Sequence, residues 1–346
     1  MNTMCIEQIE DLLNRLRGIR VLVLGDFMLD ECLWGHVLRI SPEAPVPVLN
    51  VVRRQQTLGG AGNVAKNLQS LGVQVSTIGV VGNDSTGKSI VRQLTRIGVD
   101  TEMICEASRI STRKTRMMSI EHGQQVFRFD RETARPIDAA AEQRVISSLR
   151  AVAETVQAIT CPDYLKGTLT LDVLRAAIEV GEMHQVPVVI SPKGSDASRY
   201  CGADVLIQNQ KELELLSGSA INGEDSLVVA AHRALGLLQT RSLLVTRSAK
   251  GMSLFQRSAD TIREAHIPTV ARSVYDVTGA GDTVAGVFTA GIAAGADHQT
   301  AAILANLAAG IVVGKRGTAS VTAGEILESS HDYLLSRAGP KSQVAV

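Results

Sequence analysis

The octapeptide Asp276-Val277-Thr278-Gly279-Ala280-Gly281-Asp282-Thr283 opens an Ala/Gly-rich run and carries the most specific chemistry in the chain. Small residues leave backbone N–H groups bare at a helix N-terminus, where partial positive charge favours a phosphate oxygen or a developing anion. Asp282 follows at once, placed to accept a proton from a hydroxyl that attacks the same phosphate. Three further loops compete for phosphate. Gly82-Asn83-Asp84-Ser85-Thr86-Gly87-Lys88-Ser89 fits G-x-x-x-x-G-K-[ST] letter for letter. It reads as a nucleotide-binding P-loop, a structural turn or the wall of another site, and no apolar strand ending in a metal-binding Asp supports the first. Leu58-Gly59-Gly60-Ala61-Gly62-Asn63-Val64-Ala65 contains G-x-G-x-x-A without the acidic residue about 20 positions on that a dinucleotide site requires. Bare Gly59 and Gly60 beside the Asn63 amide suit a polyhydroxylated ligand or close packing. Val245-Thr246-Arg247-Ser248-Ala249-Lys250-Gly251 reads as a hairpin turn whose hydroxyls and amides could also meet a nucleotide.

These loops need a scaffold, and short β-branched runs supply one. Strands are expected at 20–25, 73–81, 186–190, 203–207 and 242–245, alternating with helical spacing at 64–71, 90–97, 140–156 and 171–180. Such alternation predicts an α/β fold with a mostly parallel central sheet flanked by helices. Segments 31–55 and 112–130 break the rhythm with strand-like patches and no helix after them. They read as a small accessory β-sheet, serving as a lid or as a dimer contact. Runs 279–296 and 300–313 are rich in Ala and Gly, as close helix packing requires. One domain is expected over 1–335, with a fraying tail at 336–346.

Composition narrows the function. The 346 residues carry 35 basic and 35 acidic side chains, so no basic excess supports nucleic acid or an anionic membrane as partner. One Trp, four Tyr and five Phe are too few for base-stacking platforms. No apolar stretch reaches about 18 residues, which excludes a spanning helix. Five scattered cysteines fit reduced thiols, and the N-terminus reads as an amphipathic helix without a signal peptide's apolar region; both point to the cytoplasm.

The Asp276–Thr283 octapeptide, with Gly59-Gly60-Ala61-Gly62-Asn63, resembles the two signatures of the ribokinase-like (PfkB) carbohydrate kinases, over roughly residues 19–330. Further likeness lies in Gly25-Asp26-Phe27-Met28-Leu29-Asp30, in the stretch 39–48, in Asp163-Tyr164-Leu165-Lys166-Gly167, in Pro192-Lys193-Gly194 and in Gly317-Thr318-Ala319. The resemblance implies a doubly wound ribokinase-like fold with a β-sheet lid. It also implies transfer of the γ-phosphoryl of ATP to the C1 hydroxyl of D-glycero-β-D-manno-heptose 7-phosphate, an early step toward the ADP-heptose of lipopolysaccharide; a kinase for a ketohexose phosphate and a non-catalytic sugar-phosphate-binding homologue are the alternatives.

By the same resemblance Asp282 is the catalytic base and the Gly279, Ala280 and Gly281 amides form the anion hole. Asn209, Gln210, Lys211 and Glu212 match an N-x-x-E motif, with Glu212 placing Mg²⁺ through water. Thr246, Ser248, Gly251 and Thr278 lie at the ATP site. Asp26, Asp30, Gly59, Gly60 and Asn63 meet the sugar, while Lys114, Arg116, Arg128, Lys166 and Lys193 meet its phosphate. Lys114 and Arg116, two apart on one strand, face the same side. A monovalent cation such as K⁺ is implied beside the anion hole, with Gly317-Thr318-Ala319-Ser320 as its wall, and a homodimer through the lid strands. This chain departs from the pattern with Ser191 where Asp is usual, Pro162 for Ser, Gln208 for Pro and Ser248 for Gly. None of its seven histidines forms the H-x-G-H of a fused adenylyltransferase, so a stand-alone kinase is expected.

Overall fold

Strand β1 (Arg20–Leu24) shows how the chain builds two faces from one run. Val21 and Val23 point into one core with Val64, Leu68, Val284 and Phe288, while Leu22 and Leu24 point into another with Val145, Leu149, Val173 and Leu235. Burial on both sides is what a central parallel strand requires. The structure, a computed structural model, describes residues 6–337 except 107, 260 and 272.

Strands β4 (Gln74–Gly82), β5 (Asp100–Glu106), β8 (Ala158–Asp163), β9 (Val188–Pro192), β10 (Val205–Asn209) and β11 (Ser242–Thr246) join β1 in parallel. β12 (Met252–Ser258) and β13 (Thr261–Ile267) then add an antiparallel edge. The order is β13-β12-β11-β10-β9-β8-β1-β4-β5 in a nine-stranded sheet. The turn between β11 and β12 is therefore a hairpin turn, as its residues suggest. Helices α2 (Ala61–Ser70), α8 (Ala280–Ala293) and α9 (His298–Val312) cover one face; α4 (Ala139–Val152) and α5 (Leu171–His184) cover the other. The expected helix at 140–156 ends at Val152, and a 3-10 turn, Ala153–Thr155, follows it. Small residues do bring α8 and α9 together: a Cβ on Gly291 would lie 3.0 Å from that of Ala301.

The lid is a separate four-stranded sheet in the order β3-β2-β6-β7. Its strands are β2 (Phe27–Ile40), β3 (Pro47–Gly60), β6 (Thr112–Ser119) and β7 (Gln125–Arg131), longer at both ends of the first segment than the expected 31–55. Asp30, Gly59 and Gly60 thus belong to lid strands. Buried Glu31 pins the sheet from its other face, accepting from Arg54 Nε (2.5 Å), Gln56 Nε2 (2.8 Å) and Thr115 Oγ1 (2.9 Å). These donors hold its carboxyl below the usual range against the opposing pull of burial. Leu38, Ile40, Val52 and Phe127 are exposed on the lid.

The last helix, α10 (Ala323–Arg337), takes in residues 336 and 337, and the rest of the expected tail lies outside the described residues, as do residues 1–5. Among the described residues Cys32, Cys105, Cys161 and Cys201 are free thiols, and no helix is long and apolar enough to cross a membrane.

Candidate active site

The residues with chemical potential gather at the carboxyl ends of the parallel strands, where open α/β sheets place their ligands. Asp26 follows β1, Asp163 ends β8 and Tyr164 to Lys166 follow it, Lys193 follows β9, Asn209 ends β10 and Thr246 ends β11. Helix α8 brings its N-terminus to the same edge. Gly279 caps it at φ 83, a left-handed conformation that suits glycine, and a Cβ there would lie 2.6 Å from Asn63 Nδ2.

Asp282 sits in the first turn of α8, buried. Asn63 Nδ2 donates to its Oδ2 at 2.9 Å, and the Tyr164 hydroxyl donates to its Oδ1. Burial raises this carboxyl above the ordinary carboxylate range, while Tyr164, Asn63 and the charge of Lys193 pull it back. Asn63 is itself held from α2, where Asn67 Nδ2 donates to its carbonyl at 2.9 Å and Thr283 Oγ1 donates to Asn67 Oδ1 at 3.2 Å. The structure therefore turns the Asn63 amide toward the candidate base, where sequence reasoning gave it to sugar hydroxyls. Of the expected anion-hole amides, Ala280 N–H bonds the Val277 carbonyl at 3.2 Å and is committed to the turn. Gly281 lies in the first helical turn, whose N–H groups lack intrahelical acceptors. Thr278 N–H closes on Asp276 Oδ1 at 2.9 Å.

Asp26 also departs from expectation. Its carboxylate accepts from the backbone N–H groups of Tyr164 (3.0 Å), Lys166 (2.9 Å) and Thr168 (3.1 Å), so it staples the loop after β8. Asp30 stays at the site. Arg116 Nη1 lies 3.0 Å from it, and a Cβ on Gly59 would come within 2.5 Å of its Oδ2, so bare Gly59 makes room for this carboxylate. Gly60, at φ 56, brings the chain past Met28 into α2.

The lid cations do share one face. Register pairs Asp30 with Lys114 and Cys32 with Arg116 across β2 and β6, then Lys114 with Asp130 and Arg116 with Arg128 across β6 and β7. Arg128 is bound by Asp130 at 2.6 Å and Lys166 by Glu132 at 2.8 Å, and Lys193 pairs with Glu212. Among the described residues Lys114 is the one of these five cations without a carboxylate partner in salt-bridge range. It lies instead 5.5 Å from the Tyr164 ring centroid, and burial lowers its ammonium below the ordinary lysine value. Arg116, Arg128, Lys166 and Lys193 are each already paired with a carboxylate.

The Asn209-x-x-Glu212 motif folds as a capping box on α6 (Gln210–Ser217): Glu212 N–H reaches Asn209 Oδ1 at 3.0 Å, and Asn209 N–H reaches Glu212 Oε2 at 2.8 Å. Gln210 and Lys211 begin that helix, with Lys211 exposed. The remaining oxygen of Glu212 carries Lys193. Among the described residues no group of three His, Cys, Asp or Glu side chains could hold a metal. The expected contact, Glu212, has Oε2 taken by the Asn209 N–H and Oε1 by Lys193, so it could meet a Mg²⁺ only through water, the ligand this ion commonly keeps. The proposed wall for a monovalent cation fits less well: Thr318 O accepts Lys66 Nζ and Ser320 O accepts Lys315 Nζ, both at 2.9 Å.

At the turn after β11, Ser248 takes φ 51, which explains why glycine suits that position, and Gly251 takes φ 80. Thr246 Oγ1 donates to the Gln208 carbonyl at 3.4 Å. Buried Arg247 was not singled out from sequence; it anchors the turn through Ser253 Oγ (3.1 Å) and Glu224. In the P-loop look-alike, Asp84 caps α3 (Ser85–Arg96), accepting from Gly87 N–H at 2.8 Å and Ser111 N–H at 3.1 Å, and Lys88 is exposed. A carboxylate from the chain itself occupies the place a phosphate would need. Tyr164 is the chief residue that sequence reasoning left without a role, although its motif was visible.

A family model described as pfkB family carbohydrate kinase matches residues 19–323. The chain is 47% identical over 322 residues to bifunctional protein HldE of Geotalea uraniireducens, covering 93% of this chain and 65% of that protein. It is 44% identical to the protein of the same name from Geobacter sulfurreducens, again covering 93% of this chain and 65% of the relative. The chain thus spans just under two thirds of these relatives. Among solved structures, Arabidopsis thaliana ribokinase complexed with ribose and ATP superposes with TM-score 0.69 at 19% identity, over 90% of this chain and 98% of that one. Escherichia coli phosphofructokinase-2 in complex with potassium gives TM-score 0.73 at 18% identity, over 92% and 99%.

Proposed function

The chain belongs to the pfkB family of carbohydrate kinases, and on that premise we propose that it transfers the γ-phosphoryl of ATP to the C1 hydroxyl of D-glycero-β-D-manno-heptose 7-phosphate. The product is the 1,7-bisphosphate, on the route to ADP-heptose and lipopolysaccharide. The family makes it a phosphotransferase acting on a sugar hydroxyl. The observation that carries the finer reading is a buried carboxylate at a helix N-terminus, Asp282, set beneath a lid face that presents Lys114, Arg116 and Arg128. One end of the site suits a reacting hydroxyl and phosphoryl, the other a second phosphate. High identity to proteins named bifunctional, of which this chain spans one part, supports the heptose branch over a ketohexose phosphate.

In this reading Asp282 accepts the proton of the C1 hydroxyl as its oxygen bonds to the γ-phosphorus. The bond from that phosphorus to the β–γ bridging oxygen breaks, and ADP leaves. Burial, by raising the Asp282 carboxyl, makes it a better proton acceptor than an exposed aspartate. The Gly281 amide and the α8 N-terminus stabilise charge on the transferred group. Lys193 exchanges Glu212 for phosphoryl oxygens, and Asp30, freed in part from Arg116, meets sugar hydroxyls. Bound Mg²⁺ would neutralise the β- and γ-oxygens, with Glu212 as its contact through water. Thr246, Ser248, Gly251 and Thr278 border the nucleotide, and Asp26 acts by fixing the loop that carries Tyr164 and Lys166.

The expected domain over 1–335 is one kinase unit in this reading, working in the cytoplasm where ATP is supplied. Its exposed lid residues Leu38, Ile40 and Phe127 favour a homodimer, expected as twice the monomer mass in sedimentation. The reading is tested by phosphorus NMR of the product of ATP, Mg²⁺ and heptose 7-phosphate. A new phosphate coupled to the anomeric proton is expected, and phosphorylation at another carbon would contradict it.

A further inference from the structure

We propose that Tyr164 is a positioning residue that links docking of the lid to the orientation of the base, its ring seating Lys114 and its hydroxyl holding Asp282. The proposal rests on the reading of Asp282 as base. Tyr164 stands at the carboxyl end of β8, on a loop fixed from several sides. Its N–H donates to Asp26 Oδ2 at 3.0 Å, and the next N–H, of Leu165, donates to Asp163 Oδ1 at 2.9 Å. Asp163 is buried and takes the Tyr200 hydroxyl at 2.9 Å, with Arg199 at 3.3 Å. Leu165 holds φ 56, a left-handed conformation costly for a non-glycine, which persists because these contacts over-determine the loop. The ring therefore has little freedom.

On that ring lie two cations from different bodies. Lys114 Nζ, from lid strand β6, and Lys193 Nζ, from the loop after β9, are each 5.5 Å from the centroid. Cation–π attraction strengthens with desolvation, and Lys114 is partly buried. At its far end the Tyr164 hydroxyl reaches Asp282 Oδ1, while Asn63 holds Oδ2. The groups that face the Asp282 carboxylate are thus Tyr164 from the β8 loop, Asn63 from α2, Lys193 from the β9 loop and Asp30 from the lid. Burial next to Asp282 keeps the phenol protonated, so it is a donor to the base. With one donor fixed on each oxygen, the carboxylate is held in one orientation and each oxygen keeps a lone pair in a defined direction for the substrate proton. Lid closure that brings Lys114 onto the ring is thereby felt at the base.

The test compares Tyr164→Phe, Tyr164→Leu and Asp282→Asn with wild type, using ATP, Mg²⁺ and heptose 7-phosphate across pH. Tyr164→Phe keeps the ring and is nearly isosteric, so folding is preserved. Its kcat should fall about tenfold, with KM for the sugar phosphate held within about twofold, because a charge-assisted hydrogen bond is lost only at the base. The acid limb of its kcat profile should move upward by about one pH unit, since the carboxylate has lost a stabilising donor. Tyr164→Leu should raise KM as well, by removing the seat of Lys114. Unchanged kcat and acid limb in Tyr164→Phe, beside an inactive Asp282→Asn, would overturn the proposal and leave the base assignment standing. Full turnover in Asp282→Asn would instead remove the reading on which it rests.

Discussion

Replacing Asp282 by Asn should lower turnover about a thousandfold while ATP binding stays within about twofold, the size expected when a general base is lost and the fold is kept. The amide fills the same volume. It can accept from Asn63 with its oxygen and donate to the Tyr164 oxygen, so a hydrogen bond is kept on each side while the Tyr164 hydrogen loses its acceptor. The same substitution should not lower the melting temperature at pH 7. Burial sets the folded carboxyl above its unfolded value of 3.8, so the charged form is penalised in the folded state. That penalty is fully present above the raised value and fades as pH falls through it toward 3.8. The melting temperature of Asp282→Asn relative to wild type should therefore be higher at pH 7 than at pH 4. Lys88→Ala is the control: its side chain is exposed on α3, and turnover should match wild type. A P-loop enzyme would show the reverse pair of results.

Gly279→Ala should cost about a hundredfold in turnover. A methyl group there lies 2.6 Å from Asn63 Nδ2 and 3.4 Å from Thr318 Cγ2, and φ 83 strains any L side chain. The strain alone costs about 1–2 kcal/mol. Asn63 must move, which frees Asp282 Oδ2 and tilts the first turn of α8, where the proposed anion-hole amide of Gly281 resides. Stopped assays with a thermal melt separate the two consequences: turnover falls much further than the small loss of stability explains. Wild-type turnover in this variant would contradict the placement of the anion hole.

Much of the scaffold was legible because its signals are local. β1, β4, β10 and β11 follow from β-branched runs, and α8 follows from the small-residue octapeptide that opens it. β8 was missed because Ala-Ile-Thr-Cys-Pro-Asp is short, holds a proline and ends on a carboxylate, although it is buried throughout. The lid was found but drawn too short, since β2 begins immediately after Asp26 and includes Asp30. The roles that failed to show are those set by distant partners. Asp26 reads as a free carboxylate until the loop at 164–168 folds onto it, and Asn63 reads as a ligand amide until Asp282 arrives 219 positions later. Glu212 was readable as a capping box from Asn-x-x-Glu alone, but its pairing with Lys193 was not. Zero net charge remains informative: 35 charges of each sign leave phosphate recognition to a few placed cations.

The central claim is most directly tested by ADP release from the purified chain with heptose 7-phosphate against a panel of ketohexose phosphates, each with and without Mg²⁺. The account predicts Mg²⁺-dependent release with kcat/KM for heptose 7-phosphate at least about a hundredfold above any ketohexose phosphate, the discrimination that a site built to hydrogen-bond particular hydroxyls can reach. Equal or faster release with a ketohexose phosphate would contradict it.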